Sequence, residues 1–304
     1  MPCTNPYDAW PAAPGARSRR PVASPGQSYP GAVAFQIGCG QCLGCRLDRA
    51  GDWALRCVHE AHSHDAVSFV TLTYSEEFLP RDGSISKRAH QLFMKRLRKL
   101  LGRKLRFLMC GEYGEQLGRP HYHYVIFGEA FRADRVPHSR SGSGELLYAS
   151  EMLSKAWPYG LALLSDFTHA TAGYVARYTT KKITGKAAAD YYRRDLIDPE
   201  TGELRTVDLL PPFLAASSKP GLGSDWFAEF KSDALPSDFL ILDGHKRRVP
   251  PFYVKRLSEP EREALKRQRR ERGREHADNN TPERLDVRHE SQFLRAQRLS
   301  RDLA

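Results

Sequence analysis

The sequence lacks any apolar run long enough for a membrane-spanning helix, and its N-terminus lacks the apolar core of an export signal. These absences favour a cytoplasmic protein and argue against a membrane as its partner. Cysteine is scarce as well: six residues among 304, four of them within the first 45. Such clustering without an export signal favours metal binding or reduced thiols over a disulfide framework.

Acidic residues are also in short supply. The chain has 47 Lys and Arg against 36 Asp and Glu, a formal net charge of +11, and no acidic residue between Asp82 and Glu112. A solvated helix face would normally mix both signs, so this one-sign window predicts contact with a nucleic-acid backbone. The predicted contacts are Lys95, Arg96, Arg98, Lys99, Arg103 and Lys104.

Apolar residues make up 40% of the chain, which is enough for a packed core. Their spacing predicts a series of helices and strands. Helices are predicted over residues 47–62, 87–102, 147–157 and 171–183, strands over residues 66–74, 104–113, 121–128 and 161–167, and a loop over residues 130–147. This order favours an α+β fold with helices on one side of the sheet.

Composition predicts three regions along the chain. Residues 1–64 join a Pro-rich arm and a cysteine cluster to a helix. Residues 65–258 hold the predicted sheet, with an insertion near residues 186–212. Residues 259–304 carry dense charge and are expected to form a helical or disordered tail.

Two histidines stand two positions apart in a predicted strand. Because strand side chains alternate between faces, His121 and His123 point the same way. Glu112 lies near the end of the preceding strand, where a hairpin would bring it beside them. Two imidazoles and a carboxylate suit a divalent ion with open positions, such as Mg²⁺, Mn²⁺ or Zn²⁺. The alternative is an ordinary polar strand face.

A predicted helix carries the second candidate group. At about 100° per residue, Tyr174, Tyr178, Lys181 and Lys182 share one stripe, while small apolar residues on the other side pack on the sheet. A phenol can act as a covalent nucleophile when a metal and nearby lysines stabilise the developing charge. Two tyrosines one turn apart would allow two successive strand transfers. The alternative is that both rings merely cover a sheet edge.

Three cysteines, Cys39, Cys42 and Cys45, are each separated from the next by two residues. A structural zinc site needs four ligands, and Cys3 is the natural fourth, with Cys57 or His59 as alternatives. The cysteine cluster therefore predicts zinc.

The motifs together resemble a known superfamily. In order, "FVTLTY", "GEYGEQLGRPHYHYVIFG" and "GYVARYTTKK" resemble the three motifs of HUH endonucleases. The resemblance narrows to the replication initiators of microviruses, single-stranded DNA phages of the gokushovirus type. The narrowing rests on "CGQCLGCR" with "WALRCVHE" (53–60), "SSKPGLGSDWF" (217–227) and "KRRVPPFYVKRL" (246–257), and the resemblance covers roughly residues 36–258.

This resemblance implies a central antiparallel sheet of the ferredoxin-like type, with the histidine strand in its middle. It also implies a metal, with Mg²⁺ or Mn²⁺ favoured, on His121, His123 and Glu112. Tyr174 and Tyr178 would be the paired nucleophiles, accompanied by Lys181 or Lys182. The implied activity is nicking and ligation of single-stranded origin DNA through a 5′-phosphotyrosine, which initiates rolling-circle replication. The implied partners are that DNA and the helicase and polymerase of the bacterial host, in its cytoplasm.

Two other functions are compatible with parts of the pattern. A two-tyrosine transposase or relaxase of the same superfamily shares the central motifs. A zinc-bearing protein that binds single-stranded DNA without catalysis would also use aromatic and basic residues. A metal-dependent covalent DNA adduct separates the enzymes from the binding protein.

Overall fold

The computed structural model describes residues 3–17, 20–114, 117–181, 187–197 and 201–297, without the side chains of residues 177–181 and 187. The chain divides into two compact units. One holds the described residues up to Arg49 and from Arg267 onward, and the other runs from Ala50 to Lys266. The three regions predicted from composition stay a prediction.

The first unit contains the cysteine cluster and a small sheet. Strand β1 (Tyr7–Ala9) pairs antiparallel with β2 (Phe35–Ile37), and a 3-10 turn lies between them at Pro25–Gln27. Helix α1 (Leu43–Ala61) begins in this unit and continues into the second. Across the described residues, no helix is both long and apolar enough to cross a membrane.

A seven-stranded antiparallel sheet organises the second unit, in the order β11-β4-β5-β3-β8-β7-β6. Its strands are β3 (Val67–Thr73), β4 (Arg106–Tyr113), β5 (Pro120–Phe127), β6 (Arg135–Arg140), β7 (Leu146–Ser150), β8 (Ala162–Asp166) and β11 (Phe213–Ala216). The histidine strand β5 lies between β4 and β3, near the middle of the sheet. The predicted fold class, a central antiparallel sheet flanked by helices with a Cys-rich N-terminal segment, is confirmed.

One face of the sheet is named here the tyrosine face, after Tyr122 and Tyr124 of β5. Helices α2 (Lys87–Leu101) and α3 (Glu151–Ala156) pack on it, with Phe93 and Trp157 among the fully buried side chains. Burial of large aromatic rings makes this face the larger part of the core.

The opposite face is named the imidazole face, after His121 and His123. Its apolar part holds Val125 and Phe127 of β5 and is covered by α1 and by α4 (His169–Lys181). Helices therefore pack on both faces, and the prediction of helices on one side is wrong. Periodicity shows that a helix has an apolar stripe, but it does not say which sheet face receives the stripe.

The basic helix α2 begins and ends where the sequence predicts. The Ser86 side chain accepts a hydrogen bond from the amide of Ala89, and Gly102 closes the helix in the left-handed conformation at φ 66°. Its buried residues recur every three or four positions: Ala89, His90, Phe93, Met94 and Leu97. Lys87, Arg88, Lys95 and Lys99 are therefore exposed, whereas Arg96 and Arg98 are half-buried.

The remaining elements follow α4. They are α5 (Ala187–Tyr191), β9 (Arg193–Ile197), β10 (Leu204–Asp208), α6 (Ser224–Glu229), α7 (Lys231–Ala234), β12 (Phe239–Leu242), β13 (His245–Arg248), α8 (Pro251–Val254), α9 (Glu259–Glu275) and α10 (Pro282–Gln297). The predicted insertion is a β9–β10 hairpin. The β12–β13 hairpin turns at Asp243 and Gly244, both at positive φ.

Two predicted elements are wrong. Residues 130–147, predicted as a loop, form β6 and the start of β7, a hairpin at one edge of the sheet. Strand β6 is mostly exposed and polar, so it lacks the apolar alternation that signals a strand. The helix predicted over residues 147–157 begins only at Glu151, because Ser150 caps it by accepting from the amide of Leu153.

Three of the four sequence blocks outside the central motifs, those at residues 53–60, 217–227 and 246–257, meet in a structural cluster. The Arg56 Nε donates to the Leu222 carbonyl at 3.0 Å, and its guanidinium lies 3.5 Å from the ring centroid of Phe252. His59 Nδ1 lies 2.8 Å from the Tyr253 hydroxyl, and both side chains are buried. These contacts attach α1 to the segments around residues 222 and 253. Packing therefore explains these three blocks, and the fourth, CGQCLGCR, carries three residues of the cysteine cluster.

Candidate active site

Strand register gathers polar side chains on the imidazole face. Glu112 of β4 lies directly opposite His121 of β5, and on the other side His121 and His123 face Thr73 and Thr71 of β3. Directly opposed residues of an antiparallel pair share a face. The hairpin predicted to bring Glu112 beside the imidazoles therefore does so.

His121 is held in one neutral form. Its Nδ1 donates to the Arg119 carbonyl at 2.8 Å, because a carbonyl can only accept, and this leaves the lone pair on Nε2. Burial, reinforced by His123, lowers the pKa of His121 below its usual value. A Cβ on Gly114 would lie 2.9 Å from the ring Cε1, so the turn before β5 packs directly on the imidazole. A neutral imidazole oriented by a backbone carbonyl is the usual state of a metal ligand.

His123 is more deeply enclosed, at 1% exposure. Its Nε2 lies 3.2 Å from Glu112 Oε1, and its Nδ1 lies 3.1 Å from the Thr71 hydroxyl. Glu112 is itself only 5% exposed. The ring is therefore fixed from both nitrogens.

Tyr174 of α4 lies against these histidines. Its ring meets His123 edge-on, with centroids 5.4 Å apart, and meets Phe69 of β3 at 5.9 Å. Tyr174 is 5% exposed and is buried together with Val175 and Ala176. The expectation that its helix stripe points away from the sheet is wrong at this position. The buried arc of α4 is wide enough to include Tyr174 beside the small residues.

For the other predicted residues of this segment, the structure describes the backbone at most. Tyr178 follows Tyr174 by about one turn in the backbone of α4, and its side chain and that of Lys181 lie outside the described residues. Lys182 lies outside them altogether.

The donor atoms of the imidazole face fit a divalent ion by type, since two imidazoles and a carboxylate share one face. Their rings are nearly parallel, with centroids of His121 and His123 6.3 Å apart. Among the described residues, only the cysteine cluster brings three or more potential ligand atoms within 4.8 Å of one another. Any ion on this face would therefore draw His121, His123 and Glu112 closer together.

The cysteine cluster consists of Cys3, Cys39, Cys42 and Cys45, as predicted, and could hold a metal ion such as zinc. The thiols of Cys42 and Cys3 are 3.8 Å apart, and the amide of Cys39 donates to the Cys3 sulfur at 3.3 Å. Burial raises the pKa of Cys42, but hydrogen bonds from Thr4 and Cys45 outweigh burial and bring it to about 6. Burial raises the pKa values of the neighbouring Cys3 and Cys45, so Cys42 is the thiol of this cluster that ionises most readily, as a metal ligand must.

The two alternative fourth ligands are engaged elsewhere. Cys57 lies in the apolar core of the imidazole face, and His59 is stacked on Trp226 with ring centroids 3.5 Å apart.

The predicted nucleic-acid residues lie on or after α2, which packs on the tyrosine face. Lys95, Lys99 and Lys104 are exposed. Three of the arginines also make structural contacts. Arg96 donates to the Tyr159 hydroxyl at 2.7 Å, Arg98 to the Leu105 carbonyl at 2.8 Å, and Arg103 to the Gly128 carbonyl at 2.6 Å. The structure thus places the members of this group that lie on α2 on the other side of the sheet from the imidazoles.

Several contributors to the site were missed by the sequence reasoning. Thr71 and Thr73 alternate with apolar residues in an otherwise apolar strand, and this alternation was a readable sign of a polar face. Gly114 gave no local sign, because its role depends on the approach of the His121 ring across a turn.

Comparisons with known proteins agree with this architecture. A family model described as replication-associated protein ORF2/G2P matches residues 67–183. The replication-associated protein ORF2 of Spiroplasma virus 4 is 32% identical over 239 residues, 74% of this chain and 68% of the relative. The replication-associated protein VP4 of Bdellovibrio phage phiMH2K is 30% identical over 231 residues, 73% of this chain and 67% of the relative.

A third relative, the replication-associated protein ORF4 of Chlamydia phage 1, is 27% identical over 227 residues, 72% of this chain and 53% of the relative. No solved structure matches the chain significantly. The class defined by these comparisons is a phage protein of DNA replication. The chain belongs to the microvirus-type family of replication-associated proteins, and the resemblance drawn from its motifs is confirmed at this level.

Proposed function

We propose that this protein is a metal-dependent HUH endonuclease that nicks and rejoins single-stranded origin DNA to initiate rolling-circle replication. The observation that carries the proposal is the edge-on contact between Tyr174 and His123, 5.4 Å between centroids, beside the carboxylate of Glu112. The ring of a candidate nucleophile thus lies directly against a candidate metal ligand. The relatives' names, all replication-associated proteins, favour this function over a transposase.

The proposed reaction is a transesterification. The phenolic oxygen of Tyr174 or Tyr178 loses its proton and bonds to the phosphorus, the P–O3′ bond breaks, and the leaving 3′ oxygen takes up a proton. The 5′-phosphotyrosine keeps the energy of the broken bond, so rejoining needs no nucleotide cofactor. The free 3′-OH primes the host polymerase after a host helicase opens the duplex. The second tyrosine cuts the regenerated origin. The 3′-OH that this cut releases attacks the first phosphotyrosine, the bond from phosphorus to that tyrosine breaks, the phenol regains a proton, and the strand closes into a circle.

The imidazole face supports the chemistry in three ways. His121 stays neutral because burial lowers its pKa. Thr71 holds the His123 ring at Nδ1 and leaves Nε2 facing Glu112, the side on which an ion would bind. His121, His123 and Glu112 would hold Mg²⁺ or Mn²⁺, which polarises the phosphate oxygens when bound. Lys181 and Lys182 are proposed to balance the charge that develops on the phosphate.

We propose that the cysteine cluster holds a structural Zn²⁺. Four thiolates satisfy zinc completely and leave no position for substrate, so the site stabilises the N-terminal unit and takes no part in cleavage. Metal analysis of the purified chain checks this. One zinc per chain supports the proposal, and its persistence after Cys3→Ala and Cys42→Ala substitution contradicts it.

The nicking proposal is tested with a 3′-labelled oligonucleotide that spans the viral origin. In Mg²⁺ or Mn²⁺ the wild type is expected to form a labelled protein adduct that withstands denaturation. The double variant Tyr174→Phe/Tyr178→Phe should bind the oligonucleotide and form none. An adduct retained by the double variant rejects the tyrosine mechanism. Metal-independent binding with no adduct in the wild type leaves the non-catalytic DNA-binding protein as the better account.

A further inference from the structure

An exposed phenylalanine and a half-buried tyrosine lie side by side near one end of the candidate site. Phe78 is 44% exposed, and its ring meets that of the half-buried Tyr159 at a centroid distance of 5.9 Å. Neither residue has a role in the proposed chemistry. The pair is named here the aromatic platform.

The segment that carries Tyr159 is firmly attached to the end of β3. The amide of Ser75 donates to the Tyr159 carbonyl at 2.9 Å, and the Trp157 indole donates to the Thr73 carbonyl at 2.9 Å. Gly160 has φ +152°, and a Cβ there would collide with the Ser75 amide and the Thr73 carbonyl. The platform therefore rests on a closely packed support.

The support adjoins the imidazole face. Thr73 is the direct register partner of His121, and Ser75 follows it by two residues, roughly 7 Å along an extended chain. Arg119, two residues before His121, donates to the Tyr74 carbonyl at 2.8 Å and pairs with the Glu76 carboxylate. A strand of DNA held at His121 thus has the platform within reach of its neighbouring nucleotides.

Positive charge lies beside the rings. Arg96 of α2 donates to the Tyr159 hydroxyl at 2.7 Å, and its guanidinium carbon lies 5.0 Å from the centroid of that ring. Lys95 and Lys99 are exposed on the same helix. The platform therefore connects the basic helix, on the tyrosine face, with the candidate site on the imidazole face.

We propose that Phe78 and Tyr159 stack on bases of the single-stranded DNA next to the cleaved phosphate, while α2 takes the phosphates that follow. Exposed aromatic rings beside cations are how proteins hold single strands without reading sequence, because every base offers a flat face. The proposal rests on the proposed function, which places the scissile phosphate at His121. The proposal adds the surface along which the bound DNA strand continues beyond the scissile phosphate.

Binding is measured by fluorescence anisotropy on the full chain carrying Tyr174→Phe/Tyr178→Phe, so that no covalent capture occurs. The probes are a labelled short oligodeoxythymidine and an abasic oligomer of the same length. Phe78→Ala is expected to weaken binding to the first about tenfold and to leave the abasic oligomer unaffected. Phe78→Trp should restore binding, whereas Phe78→Leu, which keeps apolar bulk without a ring, should not. Phe293→Ala is the matched control, since Phe293 is 52% exposed on α10.

Three results would overturn the proposal: Phe78→Ala binding no worse than Phe293→Ala, an equal loss on the abasic oligomer, or full binding by Phe78→Leu. If Phe78→Ala does not fold, the Leu and Trp variants decide between the same outcomes. The nicking assay separates the two ideas. A wild type without adduct rejects the proposed function and leaves the stacking result standing, whereas an adduct with unchanged KM in Phe78→Leu rejects the platform alone.

Discussion

The two faces of the central sheet carry the same kinds of side chain in different settings. On the tyrosine face, Tyr124 is fully buried and its hydroxyl lies 3.0 Å from His90 Nδ1. On the imidazole face, Tyr174 meets His123 edge-on at 5.4 Å. Each face thus holds a histidine and a tyrosine in contact, but only one of these pairs has a carboxylate, Glu112, on the histidine.

The difference shows that residue type alone does not make a site. Burial raises the pKa of Tyr124 well above its usual value, so this phenol stays protonated and serves as a hydrogen-bonding core residue. Tyr122 is fixed likewise, because its hydroxyl accepts from the Ser86 amide at 2.7 Å. On the imidazole face the polar groups converge on His123 instead.

The largest expected effect is a loss of stability caused by a substitution on the tyrosine face. Phe93→Ala removes a fully buried ring and should lower the free energy of unfolding by about 3–5 kcal/mol. Adduct formation per folded molecule should stay unchanged at a temperature where the variant is folded. Urea unfolding and the adduct assay measure the two quantities. A loss of adduct in the folded variant would show that the two faces are not functionally distinct.

The reciprocal change lies on the imidazole face. His123→Ala should reduce adduct formation by about 100-fold or more, because it removes one proposed metal ligand and the partner of Glu112. Single-turnover rates across a Mn²⁺ titration measure it. His90→Ala is the matched control on the other face, and equal losses in both variants would contradict the comparison.

Acid should destabilise the tyrosine face through His90. Burial, and then the nearby Arg98, lower the pKa of His90 to about 4, below its unfolded value of about 6.5. The unfolded chain therefore binds the proton first as pH falls, so stability is lost between about pH 6.5 and 4. His90→Gln should reduce that loss by about 1–3 kcal/mol in urea unfolding, and substitution of the exposed His138 should not. A pH dependence unchanged in His90→Gln would be contrary evidence.

The smallest effect concerns orientation of the His123 ring. Thr71→Val keeps a side chain of nearly the same volume but removes the hydroxyl that lies 3.1 Å from His123 Nδ1. Adduct formation should therefore fall about tenfold. The free energy of unfolding should fall by only about 1 kcal/mol, because a single hydrogen bond is lost. Thr71→Ser, which keeps the hydroxyl, should restore the rate. If the Ser variant is as slow as the Val variant, Thr71 acts through packing and not through orientation.

Strong periodic patterns allowed much of the fold to be predicted. The alternation around His121 and His123 and the turn before them fixed a hairpin, and register then placed Glu112 beside His121 without further information. Because a zinc site needs four ligands, the three clustered cysteines predicted Cys3 as the fourth. Cys3 lies 36 residues before Cys39 in sequence, and its sulfur accepts a hydrogen bond from the Cys39 amide. Both predictions use information close in sequence or a fixed coordination number, here the four ligands of zinc.

What could not be predicted depends on contacts between distant segments. Strand β6 is polar because it is an exposed edge, so its sequence resembles a loop. The burial of Tyr174 depends on Phe69 and on the depth at which α4 packs. The aromatic platform joins Phe78 and Tyr159, which are adjacent only because a glycine fits closely over the end of β3. Such approaches leave no periodic signal in either segment.

The central claim is that the phenols of α4 and the imidazoles of β5 act on the same phosphate. Mass spectrometry of the DNA-linked peptide, after a short reaction of the wild type with origin oligonucleotide, tests it most directly. The expected result is one α4 peptide, linked through Tyr174 or Tyr178 to a 5′ phosphate, absent when His123 is replaced by alanine. A DNA-linked peptide from elsewhere in the chain, or an undiminished yield in His123→Ala, would contradict the account.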